Sequence, residues 1–122
     1  MTSQLGLITF DSVDAARLAG FWAAVFDWPV QHGASPAMAM VADPSGDTAH
    51  RLLFLAVPEA KQAKNRCHLD LRPTDGDVDR EVARLEELGA TTLYEKVEYG
   101  TRWRTMHDPD GNEFCIGGPA EE

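Results

Sequence analysis

The stretch His107-Asp108-Pro109-Asp110-Gly111-Asn112-Glu113-Phe114 decides the fold, because its turn has already occurred once, as Asp43-Pro44-Ser45-Gly46. In a D-P-x-G turn the aspartate bonds nearby backbone, the proline presets φ, and the glycine accepts a positive φ. One such turn is common. Two, at matching places in two runs of strands and helix, point to a duplicated unit. A shift of 61 residues lays Ile8 on Leu69, Phe10 on Leu71 and Asp14 on Asp75. The second turn falls four residues beyond that shift, a difference in hairpin length.

Working outward, Leu5 to Asp11 reads as a strand, with Ile8, Thr9 and Phe10 at its centre. Ser12 or Asp14 can cap the helix that follows, since a short oxygen side chain accepts orphan N–H bonds. Leu18, Phe21, Trp22, Val25 and Phe26 form a one-sided stripe at helical spacing, and Pro29 stops it. Strands are expected at about Val30–Gly33, Ala37–Ala42 and Arg51–Val57, and a polar, basic linker at 58–65. The plan then repeats. Cys67–Arg72 reads as a strand, and Asp75 as the cap of a helix with Asp77 and Asp79 near its positive end. Val78, Val82, Leu85 and Leu88 make the stripe, and Gly89 the C-cap. Strands follow at about Thr91–Val97, Arg102–His107 and Glu113–Gly117. The sum is an α+β domain over 1–122 built of tandem βαβββ modules, one at about 4–57 and one at about 66–118.

The bulk numbers narrow the function classes. With 122 residues the chain suits one domain with a core of its own. Its net charge of −9 repels phosphate backbones and anionic lipid heads, so neither nucleic acid nor a membrane surface is an expected partner. A cationic or neutral small molecule suits that balance better. The longest apolar run, Leu52 to Val57, has strand length, and the N-terminus lacks a secretory pattern, so a cytoplasmic protein is expected. Two cysteines, Cys67 and Cys115, lack a CxxC spacing and read as free thiols.

Three stretches resemble the vicinal oxygen chelate superfamily: Asp14–Trp28 with its F-W-x-x-V-F-x-W pattern, Asn65–Arg72 (N-R-C-H-L-D-L-R), and His107–Phe114. That superfamily includes glyoxalase I, extradiol dioxygenases, and the bleomycin and fosfomycin resistance proteins; the likeness is nearest to its glyoxalase-like subgroup. The resemblance implies curved mixed sheets around one cleft, and a homodimer. Metal-binding members place ligands on the first, fourth, fifth and eighth strands. Carried over by motif, those positions are Leu7, Phe54, His68 and Cys115. Only His68 is a usual ligand type, and Cys115 offers a soft thiolate where a hard carboxylate is expected. Glu113 and Asp70 each lie two residues from a ligand position, about 6–7 Å along a strand. No metal is therefore the favoured expectation.

Alternation on the strand turns His68, Asp70 and Arg72 to the cleft, and Cys67, Leu69 and Leu71 to a helix. It also puts Cys67 and Cys115 on opposite sides of the sheet, so they should not bond. The expected lining is Leu7, Thr9, Leu52, Phe54, His68, Asp70, Glu113 and Cys115, an apolar cleft with a few polar groups. His68 is the candidate acid/base or ligand-binding group, weighed against a structural bond to Asp70. Beside it Cys115 is a thiolate nucleophile or, the favoured reading, a small apolar filler. On the next-to-last strand Trp103, Thr105 and His107 share one face, and Arg102, Arg104 and Met106 the other; either can meet the cleft. Three functions compete. The favoured one is a protein that binds or transforms a small organic molecule without metal. The others are a lyase or dioxygenase using zinc, nickel, iron or manganese, and a non-catalytic drug-binding protein of the bleomycin-resistance kind.

Overall fold

The computed structural model describes residues 2–46 and 50–119. Its elements run β1 (Ile8–Ser12), α1 (Ala15–Phe26), β2 (Met38–Ala42), β3 (Arg51–Ala56), β4 (Asp70–Leu71), α2 (Val78–Leu88), β5 (Thr91–Glu98), β6 (Thr101–His107) and β7 (Glu113–Pro119). The fold is α+β, with a mixed sheet and one helix in each half. By its own contacts the chain separates into two compact units, Met1–Ala60 and Lys61–Glu122, the division falling inside the expected linker. Among the described residues no helix is long and apolar enough to cross a membrane.

In the first unit the sheet has the order β1-β3-β2, with β1 parallel and β2 antiparallel to β3. Both expected caps act at the start of α1. The Asp14 carboxylate accepts from Arg17 N–H, and Asp14 N–H donates to the Ser12 hydroxyl. The helix ends before Pro29, at Asp27, which adopts left-handed φ of 56°. Leu18, Phe21, Trp22 and Val25 are buried together with Ala39, Val41, Leu52 and Phe54 of the sheet. Phe10 joins the two layers: its ring lies 6.0 Å from Trp22 and 5.3 Å from Phe54. The strand expected at Val30–Gly33 shrinks to one bridge, Val30 to Val41. Pro29 contributes no donor to a ladder and Gly33 turns to a φ of +94°, so the segment leaves the sheet at once.

In the second unit the order is β4-β7-β6-β5, with β4 parallel to β7 and the other pairs antiparallel. The cap of α2 is Asp77, whose carboxylate accepts from Arg80 N–H; the expected Asp75 stands one step back and accepts from Asp77 N–H. Gly89, at φ 122°, closes the other end by donating to Leu85 and Glu86. Val82 and Leu85 are buried with Met106, Phe114 and Ile116. The strand expected over Cys67–Arg72 narrows to β4, two residues long.

The turn that opened the sequence reading is built on one carboxylate. Asp108 is 3% exposed. It accepts from Asp110 N–H, Asn112 N–H and the Asn112 amide, each at 2.9 Å. Gly111, at φ +87°, donates back to the Asp108 carbonyl. Removing the acceptor strands all three donors in a poorly solvated turn. Asp108→Ala should therefore lower stability by about 2–4 kcal/mol, read from urea unfolding, with Asp108→Asn losing less.

Candidate functional site

Strand alternation sorts the second sheet into two faces. Phe114 and Ile116 of β7 and Met106 of β6 are buried, and α2 packs on β7 and β5. Glu113, Cys115 and Gly117 point the other way, in register with His107, Thr105 and Trp103 of β6; Asp70 pairs with Cys115 from β4. On that second face lies a hollow of about 650 Å³. This is the size range of small-molecule sites. The open question about β6 is thereby answered: Trp103 and Thr105 line the hollow. Arg102 and Arg104 belong to the other face, where both bind Asp79 of α2 and Glu95 of β5. Hydrogen bonds from Arg104 and then Arg102 hold the Glu95 carboxyl below its usual range.

The hollow is not apolar as expected. Tyr94, Tyr99 and Trp103 supply its rings, and Lys64, Arg72 and Lys96 its cations. Sequence reasoning missed Tyr94, Lys96 and Tyr99. Tyr94 and Lys96 recur every second residue on β5, a visible pattern, but nothing local says which face the pattern serves. Gly117 makes room beneath Trp103. A Cβ there would lie 2.5 Å from the Arg102 carbonyl oxygen and 2.7 Å from Trp103 Cβ.

Of the expected site residues, His68, Asp70, Glu113 and Cys115 line the hollow. His68 Nδ1 is 3.1 Å from Asp70 Oδ1. The argument that Asp70 stands a full strand step away from His68 fails, because His68 precedes β4 in irregular backbone and its Nδ1 reaches the Asp70 carboxylate. Cys115 Sγ lies 3.4 Å from the Thr105 hydroxyl. Burial pushes the Cys115 thiol up, Thr105 and Lys64 pull it down, and Asp70 adds to the rise; the net shift is upward. The thiol is thus protonated near neutral pH, and the thiolate-nucleophile reading loses its support.

Two expected lining residues are corrected. Leu52 and Phe54 are buried in the first unit, and Phe54 is 0% exposed. The register pairs Ile8 with Leu52 and Phe10 with Phe54, so these side chains share the α1 side of the sheet. Thr9 pairs with Leu53 on the opposite face, and Leu7 lies just ahead of β1. A one-residue slip in reading β3 exchanges its faces.

The metal set that the resemblance implies does not fit these residues. Leu7 offers no donor atom, Phe54 is sealed in the core, and Cys115 replaces the carboxylate. Glu113 is otherwise engaged: Lys61 Nζ lies 3.2 Å away, Asn65 N–H donates at 2.9 Å, and His107 Nε2 lies 3.3 Å away. Burial favours protonation of Glu113. The hydrogen bonds from Asn65 and its own backbone, with Lys61 and His107, outweigh it and lower the pKa from 4.5 to about 2. Among the described residues one trio can offer metal donors, His68, Asp70 and Cys115, with one donor atom from each within 4.8 Å of the others.

The Glu113 shift fixes a pH dependence. A folded pKa below the unfolded one stabilises the protein above about pH 4.5, and that contribution is lost as pH falls towards 2. At pH 7, Glu113→Gln should be less stable than the parent by the order of 1 kcal/mol once solvent screening is allowed for, and the gap should close near pH 2. Thermal melts of both proteins across that range check the sign.

The comparisons with known proteins agree with this architecture. Residues 7–117 match the family described as a glyoxalase-like domain. No curated protein matches the sequence. Among solved structures, an enzyme of the glyoxalase/bleomycin resistance protein/dioxygenase family from Burkholderia phytofirmans is similar, at 18% identity and a TM-score of 0.76, over 97% of this chain and 100% of that one. A mutant fosfomycin resistance protein from Listeria monocytogenes, complexed with manganese(II) and 1S,2S-dihydroxypropylphosphonic acid, is similar at 16% identity and a TM-score of 0.77, over 98% of this chain and 93% of that one. A fosfomycin resistance protein from Mesorhizobium loti shows 20% identity and a TM-score of 0.72, over 98% and 95% of the two chains. At these identities the structures speak for the fold, while the family match over residues 7–117 speaks for kinship: the chain belongs to the family of glyoxalase-like domains.

Proposed function

We propose that the protein binds a small organic anion with a flat, unsaturated part in the hollow of its second half. The observation that carries this reading is the lining itself: Trp103, Tyr94 and Tyr99 beside Lys64, Arg72 and Lys96. Among the described residues these three cations take part in no ion pair, and Lys96 lies 6.0 Å from the Tyr94 ring centre. On the acidic side, Glu113 is held by Lys61, which leaves Asp70, resting on His68, and Glu98 to face three cations. The hollow is therefore locally basic although the chain carries a net charge of −9. Arg72 suits a carboxylate or phosphonate because its guanidinium offers a planar fork of donors. The rings take up the apolar part of the ligand. In the Listeria protein the bound organic molecule is a phosphonic acid, which supports the anionic class.

In this reading His68 handles any proton exchanged with the ligand. Its Nδ1 rests on Asp70, which leaves Nε2 to the ligand. Cys115 contributes volume and no nucleophile, because its thiol stays protonated.

Titration with 4-hydroxybenzoate and phenylphosphonate, followed by calorimetry, tests the proposal against benzyl alcohol as the uncharged control. The anions should bind, and more weakly as salt rises. Trp103→Ala should lose about tenfold in affinity, roughly the 1.4 kcal/mol of one stacked ring. Equal binding of the uncharged control, or anion binding indifferent to both Trp103 and Arg72, would remove the basis for the reading.

A further inference from the structure

We infer that Glu113 is a positioning residue for the anion site: through Lys61 and Asn65 it holds the chain on both sides of Lys64 and so presents that lysine to the hollow. The inference rests on the anion-binding reading given above. Residues 61–69 form neither helix nor strand. Among the described residues, the one main-chain bond that ties this stretch to the sheet runs from Cys115 N–H to the Leu69 carbonyl. That bond lies well past Lys64, so no ladder fixes where the lysine stands.

The Glu113 carboxylate takes the place of a ladder. One of its oxygens accepts from Asn65 N–H at 2.9 Å, just after Lys64. Lys61 Nζ lies 3.2 Å and 3.3 Å from its two oxygens and also donates to the Ala63 carbonyl, just before Lys64. The main chain on either side of residue 64 is thus tied to one carboxylate, directly on one side and through the Lys61 ammonium on the other. The tie is sheltered, with the Glu113 side chain 11% and the Lys61 side chain 19% exposed. His107 Nε2, at 3.3 Å, braces the same carboxylate from β6. Charge-assisted bonds are stronger than neutral ones, and shelter from water spares them much of the screening that weakens surface pairs. Lys64 itself is exposed and lines the hollow, and its charge acts on Cys115 to lower the thiol pKa.

Glu113 also lines the hollow, so its removal has two opposite consequences. As a charge, the carboxylate repels an anionic ligand, and by Coulomb's law alone Glu113→Gln should tighten anion binding. As a clasp, it brings Lys64 to the ligand, and the same substitution should weaken binding. Glutamine keeps an acceptor for Asn65 N–H but gives up the ion pair with Lys61, which releases the Ala63 side of the tie. The sign of the change separates the two roles.

The test is a double-mutant cycle on the full chain, with phenylphosphonate as the probe and calorimetry as the readout. Lys64→Met should weaken binding about fivefold, the upper range for one exposed ion pair. Glu113→Gln should weaken it by most of the same factor. In the Lys64→Met background, Glu113→Gln should cost nothing further, because no lysine is left to position. Lys61→Met, at a residue outside the lining of the hollow, should likewise lose its effect once Lys64 is gone, and it carries the test if the Glu113 variant fails to fold. If the parent binds and Glu113→Gln binds as tightly or more tightly, or if its full loss persists without Lys64, the inference falls while the anion-binding reading stands. A parent that leaves phenylphosphonate unbound overturns both.

Discussion

β7 runs between β4 and β6, and each of its side chains has to choose one of two environments. Phe114 and Ile116 are buried on the α2 side, and Glu113, Cys115 and Gly117 take the other. Every functional feature of the second half follows from that alternation. Cys115 brings its sulfur to Asp70 and Thr105, Gly117 clears space for Trp103, and Glu113 anchors Lys61 and Asn65. Because the neighbours on both sides are hydrogen-bonded to β7, a slip of one residue would exchange the two faces together.

Charge is divided in the same way. On the α2 face Arg102 and Arg104 are neutralised by Asp79 and Glu95, so that side of the hairpin is electrically closed. On the hollow side Lys64, Arg72 and Lys96 have no such partners among the described residues. A chain with a large acidic excess thus places three unneutralised cations around one opening. Net charge describes the far field; the local pattern decides what a ligand meets at contact.

Periodicity made the helices legible, and the two D-P-x-G turns made the duplication legible, because both signals are local. Where the reading went astray, the deciding information was not local. Phe54 looked like a cleft residue because a run such as Leu52-Leu53-Phe54-Leu55 shows no alternation to separate its faces. Only the pairing of Phe10 with Phe54 shows which side meets α1. His68 and Asp70 were read as separated by a regular strand step, but the strand begins at Asp70 itself. The cap moved from Asp75 to Asp77 for a simpler reason: both are aspartates, and α2 begins beside the second. Arg72, turned to the cleft by strand alternation, lines the hollow, while Tyr99 was overlooked because it sits in the turn after β5, outside any periodic stretch.

Gly117 has a bearing on how such a pocket can diversify. The atoms that crowd its missing Cβ are the Arg102 carbonyl and the Cα and Cβ of residue 103, none of which depends on the indole. The restriction at 117 is therefore imposed by main chain, and it persists whatever side chain stands at 103. One position is locked and its cross-strand neighbour is free, so the floor of the hollow can be exchanged for another shape by a single substitution with no compensating change opposite.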